Sequence, residues 1–120
     1  MVRLAFRHIT GARASQIDEI VLDTERELIL GRGASASIRF DPHLDIRVGR
    51  LHARILWTGA EPPQFELEDL KSRNGTFLNG RLISAPVRLT SGDIIQLGAL
   101  GPEVQVQWDM RITTKLTLIG

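Results

Sequence analysis

The sequence predicts an all-β domain, a sandwich or barrel of many short strands, on three observations. Apolar and polar residues alternate in short runs, as they do in half-buried strands. Clusters of turn-forming residues separate those runs at even intervals. No window of a dozen residues keeps the 3.6-residue period of an amphipathic helix. The elements follow in order. Val2 to Ile9 sets Val2, Leu4 and Phe6 against Arg3, Ala5 and Arg7, which reads as a first strand, and Thr10 to Ser15 is its loop. Glu19–Leu22, Glu27–Leu30 and Ser37–Phe40 read as the next strands. Asp41 to Arg47 has no periodicity and is a loop leading into Val48–Ile55. Ala53–Thr58 and Gln64–Glu68 are strands flanking the turn Gly59 to Pro63. Thr76–Leu78, Val87–Leu89, Asp93–Leu97 and Glu103–Asp109 complete the set, with turns at Ser91-Gly92-Asp93 and Gly98 to Pro102.

Composition narrows the class. A chain of 120 residues supports one domain with its own core. Its net charge of +1 gives no bulk attraction to nucleic acid or to an anionic membrane. There is no cysteine, so neither a disulfide framework nor thiol chemistry is available, which fits a reducing cytoplasm. No basic-plus-apolar signal segment opens the chain, and Met1 leads almost at once into a strand, as at a true N-terminus. No apolar run approaches the ~20 residues of a membrane helix.

The most informative segment is Ser72-Arg73-Asn74-Gly75-Thr76-Phe77-Leu78-Asn79-Gly80. It contains Asn-Gly twice, the strongest short-range signal for a tight turn, because both residues tolerate positive φ. Between the turns there is room only for a three-residue strand. The first turn presents a hydroxyl, a guanidinium and a carboxamide together. Such a loop can hold an anion and read a neighbouring peptide backbone. Upstream, Gly31-Arg32 closes the apolar run Leu28-Ile29-Leu30, and His52 sits in Val48-Gly49-Arg50-Leu51-His52-Ala53-Arg54-Ile55.

This order of motifs resembles the forkhead-associated (FHA) domain family, over about Glu27 to Leu97. The resemblance implies a twisted sandwich of two mostly antiparallel sheets with binding loops at one end. It implies an FHA domain over residues 1–110, with 111–120 a tail, a linker or an added strand. It also implies recognition of phosphothreonine in a partner protein, a Ser/Thr kinase substrate, through an arginine cluster. Phosphothreonine carries about −1.5 to −2 charges and three acceptor oxygens, which suits the planar, always charged guanidinium fork.

By that resemblance Arg32 is the main phosphate ligand. Arg50 reaches the phosphate or the backbone beside it. Ser72 and Arg73 open the second loop, and Asn74 bonds the ligand main chain. Arg47, two residues before Gly49, borders the place of the third residue after the phosphothreonine. Gly31, His52, Gly75, Thr76, Asn79 and Gly80 take structural roles. The family usually carries serine where this chain has Gly49, so a hydroxyl donor to the phosphate is missing.

Other chemistries lack their motifs. Gly31 to Ser37 (GRGASAS) lacks the Gly-Lys-Ser/Thr ending of a nucleotide P-loop. Glu66 and Glu68 share a strand face and read as a solvated surface, not a catalytic pair. No serine stands beside a base in a recognisable motif. His8, His43 and His52 lie in unrelated segments, so no metal or other cofactor is expected. The partner implied by the resemblance is a phosphothreonine protein, and the net charge of +1 gives no expectation of nucleic acid or membrane. A scaffold or self-association domain that ignores phosphate, or a regulatory domain docking within its own protein, is the alternative.

Overall fold

The computed structural model describes residues 2–23, 26–60 and 62–108. The expected boundary at 110 and the 111–120 tail therefore lie outside the described residues. Among those described there is no helix. Eleven strands follow one another: β1 (Val2–His8), β2 (Ile17–Leu22), β3 (Arg26–Gly31), β4 (Ile38–Arg39), β5 (Ala53–Trp57), β6 (Phe65–Asp69), β7 (Thr76–Leu78), β8 (Arg81–Leu82), β9 (Val87–Arg88), β10 (Ile94–Leu97) and β11 (Glu103–Trp108).

They form two sheets, ordered β2-β1-β11-β10-β7-β8 and β4-β3-β5-β6-β9. All pairs are antiparallel except β3 with β4. The alternation read in the sequence decides which faces meet. Val2, Leu4 and Phe6 of β1, with Ile95, Val104 and Val106, are buried against Leu28, Leu30, Ile55, Phe65 and Leu67 of the other sheet. Each large side chain buried this way stabilises the fold by roughly 1.5–3 kcal/mol. Phe65 packs edge-on against Trp108 with ring centroids 4.7 Å apart, which joins the sheets at one end of the core. On the outer face Arg54 pairs across the strands with Glu68, Nε to Oε1 2.6 Å, and Glu66 is exposed.

The all-β sandwich of the sequence reading is borne out, with local differences. β2 begins at Ile17, two residues early, because pairing with Arg7 holds it although Ile17 is exposed. β8 was not expected. It follows the Asn79-Gly80 turn, where both residues have positive φ (50° and 85°), the signature of a two-residue hairpin. The first Asn-Gly pair behaves otherwise: only Gly75 has positive φ, at 83°.

The strand directions put five loops at one end: 9–16, 32–37, 40–52, 70–75 and 98–102. β1 runs toward this end and β11 runs away from it, paired antiparallel with Leu4 opposite Trp108.

Candidate phosphopeptide-binding loops

The loop end is built around His52. The imidazole is fully buried. Its Nδ1 accepts from the Gly49 N–H at 2.9 Å, and its Nε2 lies 2.8 Å from the Gly75 carbonyl oxygen. Only the neutral tautomer with hydrogen on Nε2 satisfies both bonds. Burial, against the pull of the Gly75 carbonyl and of Asp69, pushes the imidazole below its ordinary 6.5. The Gly75 oxygen also accepts from the Gly98 N–H at 2.8 Å. One side chain thus ties the 40–52 loop to the 70–75 loop, and the 98–102 loop joins them through a shared oxygen.

Gly31 lets the 32–37 loop approach. A Cβ there would stand 2.0 Å from the Arg50 carbonyl oxygen. Glycine instead allows a short ladder: the Arg32 N–H donates to the Gly49 oxygen (2.9 Å) and the Gly33 N–H to the Arg50 oxygen (3.1 Å). The half-buried Arg32 side chain lies along the 40–52 loop. Its Nε donates to the Val48 carbonyl and an Nη to the Pro42 carbonyl, the latter at 2.9 Å. Arg32 thus shapes the loop as well as carrying charge. Its remaining N–H groups have no partner among the described residues.

Asp69, at the end of β6, organises the 70–75 loop. Its carboxylate accepts from the Ser72 N–H (3.0 Å), the Ser72 hydroxyl and the Thr76 hydroxyl (2.7 Å). Burial opposes ionisation, but these hydrogen bonds outweigh it and hold the carboxyl below 3.8. Ser72 is engaged twice, since its oxygen also accepts from the Gly75 N–H at 3.0 Å. Thr76 is buried. Asn74 is exposed, and its Nδ2 donates to the Arg47 carbonyl at 2.9 Å. Asn79 fixes the next turn by donating to Asp93 (3.0 Å) and accepting from the Ile94 N–H (2.9 Å).

The structure therefore brings Arg32, Gly49, Arg50, Ser72, Arg73, Asn74 and Arg47 to one end, on loops bonded to one another. Among the described residues, Arg47, Arg50 and Arg73 are exposed and make no ion pair. Elsewhere Arg54 pairs with Glu27 and Glu68, and Arg13 of the 9–16 loop pairs with Asp18, while Arg7, Arg26, Arg39, Arg81 and Arg88, which make no ion pair among the described residues, lie singly on five different strands. The loop end thus concentrates uncompensated positive charge and donor groups, which is the chemistry of an anion site. Among the described residues no three His, Cys, Asp or Glu side chains could hold a metal ion.

Sequence reasoning missed two acidic residues. Asp69 stands three residues before Ser72, a spacing that signals an Asx-type turn. Asp45 is buried in the loop read as aperiodic; its oxygens accept from the Ala12 N–H (3.1 Å) and the Asp41 N–H (3.2 Å), fastening the 9–16 loop to the 40–52 loop. Also missed was Leu100, which holds a left-handed φ of 62°, at a cost of roughly 1–2 kcal/mol for a non-glycine residue.

Comparison with known proteins agrees with this architecture. The family model described as FHA domain matches residues 28–98. A structure from an analysis of phosphothreonine-dependent FHA domain interactions is 30% identical, with a TM-score of 0.69, covering 88% of this chain and 95% of that one. The FhaA FHA domain, solved in complex with the intracellular domain of another protein, is 29% identical, with a TM-score of 0.67 and coverage of 87% and 99%. The FHA domain of a Chlamydia trachomatis protein is 25% identical, with a TM-score of 0.70 and coverage of 88% and 96%. The sarcolemmal membrane-associated protein of Mus musculus is 40% identical over 57 residues, which is 42% of this chain but 7% of that protein.

Proposed function

The chain belongs to the FHA domain family, and from that premise we propose that its loop end binds a phosphothreonine-containing segment of a partner protein. The observation that carries the reading is the set of unpaired arginines on a loop frame already fixed by His52 and Asp69. In this reading Arg32, Arg50 and Arg73 supply charge and forked donors to the phosphate, and Asn74 bonds the ligand main chain beside it. Ser72 acts mainly by shaping the loop, since its hydroxyl already donates to Asp69.

Gly49 supplies no hydroxyl, and its N–H already donates to His52. Of the two backbone amides that could replace the missing donor, that of Arg50 remains without a partner among the described residues. The domain body is proposed to span 1–110, in a cytoplasmic protein whose ligand is the substrate of a Ser/Thr kinase.

The test is a titration of phosphothreonine peptides and their unphosphorylated controls. Binding with Kd of ~1–100 μM is expected for the phosphorylated form, at least tenfold tighter than the control. Arg50→Ala and Arg73→Ala should each weaken it without lowering the melting temperature. Arg32→Ala should abolish most binding, but it also frees the Val48 and Pro42 carbonyls, so it needs a melting curve beside it. Equal affinity for both peptide forms across a diverse library would remove the phosphate reading in favour of a phosphate-independent scaffold.

A further inference from the structure

The loop end has a second brace, built around His8. This residue closes β1, and strand parity sets it on the same face as Val2, Leu4 and Phe6, inside the core. Its imidazole is 1% exposed, at a place where leucine or phenylalanine would pack without burying a polar group. Its Nε2 lies 3.0 Å from Asp18 Oδ2. Asp18 also accepts from both Nη groups of Arg13, each at 2.8 Å, and Arg13 Nη1 donates to the Arg39 carbonyl at 2.8 Å. The imidazole stands edge-on to Phe40, ring centroids 5.2 Å apart, and Phe40 leads directly into the 40–52 loop. Nδ1 has no hydrogen-bond partner among the described residues.

We propose that His8 is a positioning residue for the phosphate loops, a latch that holds the 9–16 loop against the 40–52 loop while neutral and releases it when protonated. The proposal rests on the phosphothreonine reading above and adds pH control to it. The neutral imidazole donates from Nε2 to Asp18 and keeps only a lone pair at Nδ1. Protonation adds an N–H at Nδ1, among buried groups that offer it no acceptor, which is costly until water reaches it. Burial is the main cause that keeps the folded imidazole neutral to below 6.5, and Arg13 of the 9–16 loop acts in the same direction. Asp18 of β2 and Asp45 of the 40–52 loop favour the cation but do not outweigh burial. The least costly way to admit water is to lift the 9–16 loop, most of whose residues are exposed. Lifting it breaks the Arg13 bonds and the Ala12 N–H bond to Asp45, which fastens the loop carrying Arg47, Gly49 and Arg50. Ligand affinity therefore falls as the latch opens on acidification below 6.5.

The experiment uses the full 120-residue chain, wild type and His8→Gln, with one phosphothreonine peptide and its unphosphorylated copy. Glutamine keeps a donor for Asp18 but does not titrate. Calorimetric titrations run from pH 7.5 to 5.5. Protonation of the peptide phosphate, whose second pKa is about 6, and of His52 weakens binding by both proteins alike. The wild type should lose about threefold more affinity than His8→Gln over this range. A second measurement needs neither variant nor ligand. In the wild-type chain, hydrogen exchange at the Ala12 N–H, corrected for its intrinsic pH dependence, should lose protection over the range in which the His8 ring titrates by NMR. Equal pH dependence in the two proteins, or Ala12 protection that holds while His8 protonates, overturns the latch. Equal binding of both peptide forms overturns the phosphothreonine reading, and the Ala12 exchange then decides the latch by itself.

Discussion

Gly49→Ser is the sharpest perturbation available. Gly49 does not have positive φ among the described residues. A Cβ built on it meets His52 Cα and Nδ1 at 3.7 Å and His52 Cβ at 3.8 Å, all ordinary contacts. Serine should therefore be accommodated with the His52–Gly49 hydrogen bond intact. If the loop places position 49 beside the phosphate, the added hydroxyl donates to a charged acceptor, worth roughly 1.5–3 kcal/mol, or about tenfold to a hundredfold in Kd. Replacing glycine without backbone strain also lowers unfolded-state entropy by about 0.4–1 kcal/mol, a rise of a few degrees in melting temperature. Calorimetric titration of both proteins with one phosphothreonine peptide, beside melting curves, reads both effects. Unchanged affinity would show that position 49 does not touch the ligand. Loss of both affinity and stability would refute the geometry, because it requires a clash or strain that the contacts around Gly49 do not contain.

Three further outcomes are expected. Phosphothreonine should bind about fourfold tighter than phosphoserine in matched peptides, since one buried methyl contributes roughly 0.8 kcal/mol; equal binding would refute a methyl niche. Aspartate or glutamate three residues after the phosphothreonine should gain ~0.2–1 kcal/mol from exposed Arg47, a preference that fades with salt and disappears in Arg47→Ala; a preference unchanged in that variant would rule the contact out. Stability should fall as pH drops below neutrality. Burial lowers both His8 and His52 below 6.5, so the unfolded chain takes up protons first, and the stability present above pH 6.5 is lost on acidification toward the lower folded values. Thermal melts from pH 7.5 to 5.0 measure this, and an NMR titration in which His52 protonates above 6.5 would contradict it.

How much of this was legible in the sequence depended on how local the cause was. β1, β5 and β10 were readable because alternation records which face is buried. β8 was not, since Arg81 and Leu82 are both exposed and no alternation exists over two residues. The tight turn at Asn79-Gly80 was readable from residue chemistry alone. At Asn74-Gly75 the same dipeptide adopts positive φ only at Gly75, and the Asn74 side chain is bonded to Arg47 of a distant loop, a contact no local pattern records. The arginines of the candidate site could be found by motif. That Arg32 holds the Val48 and Pro42 carbonyls could not, since those contacts exist only after the 40–52 loop folds back. Asp69 left a local trace in its spacing to Ser72, whereas the placement of Asp45 depended on the 9–16 loop coming near.

The central pairing of β1 with β11 has an architectural consequence. Leu4 lies opposite Trp108 while His8 lies opposite Val104 nearer the loops, so both strand ends that lead out of the described body point the same way. A seven-residue strand spans roughly 20 Å, so chain attached at Val2 or Trp108 departs about that far from Arg32, Arg50 and Arg73. A neighbouring domain on either side could be exchanged, lengthened or tethered without shading the loops. The fold is arranged as a cartridge: Val2 and Trp108 lie at its back, and the candidate loops lie at the opposite end. Fusions at these two positions should preserve ligand access, whereas insertions at 70–75 or 98–102 should cut the bonds through which His52 and Gly75 hold the face together.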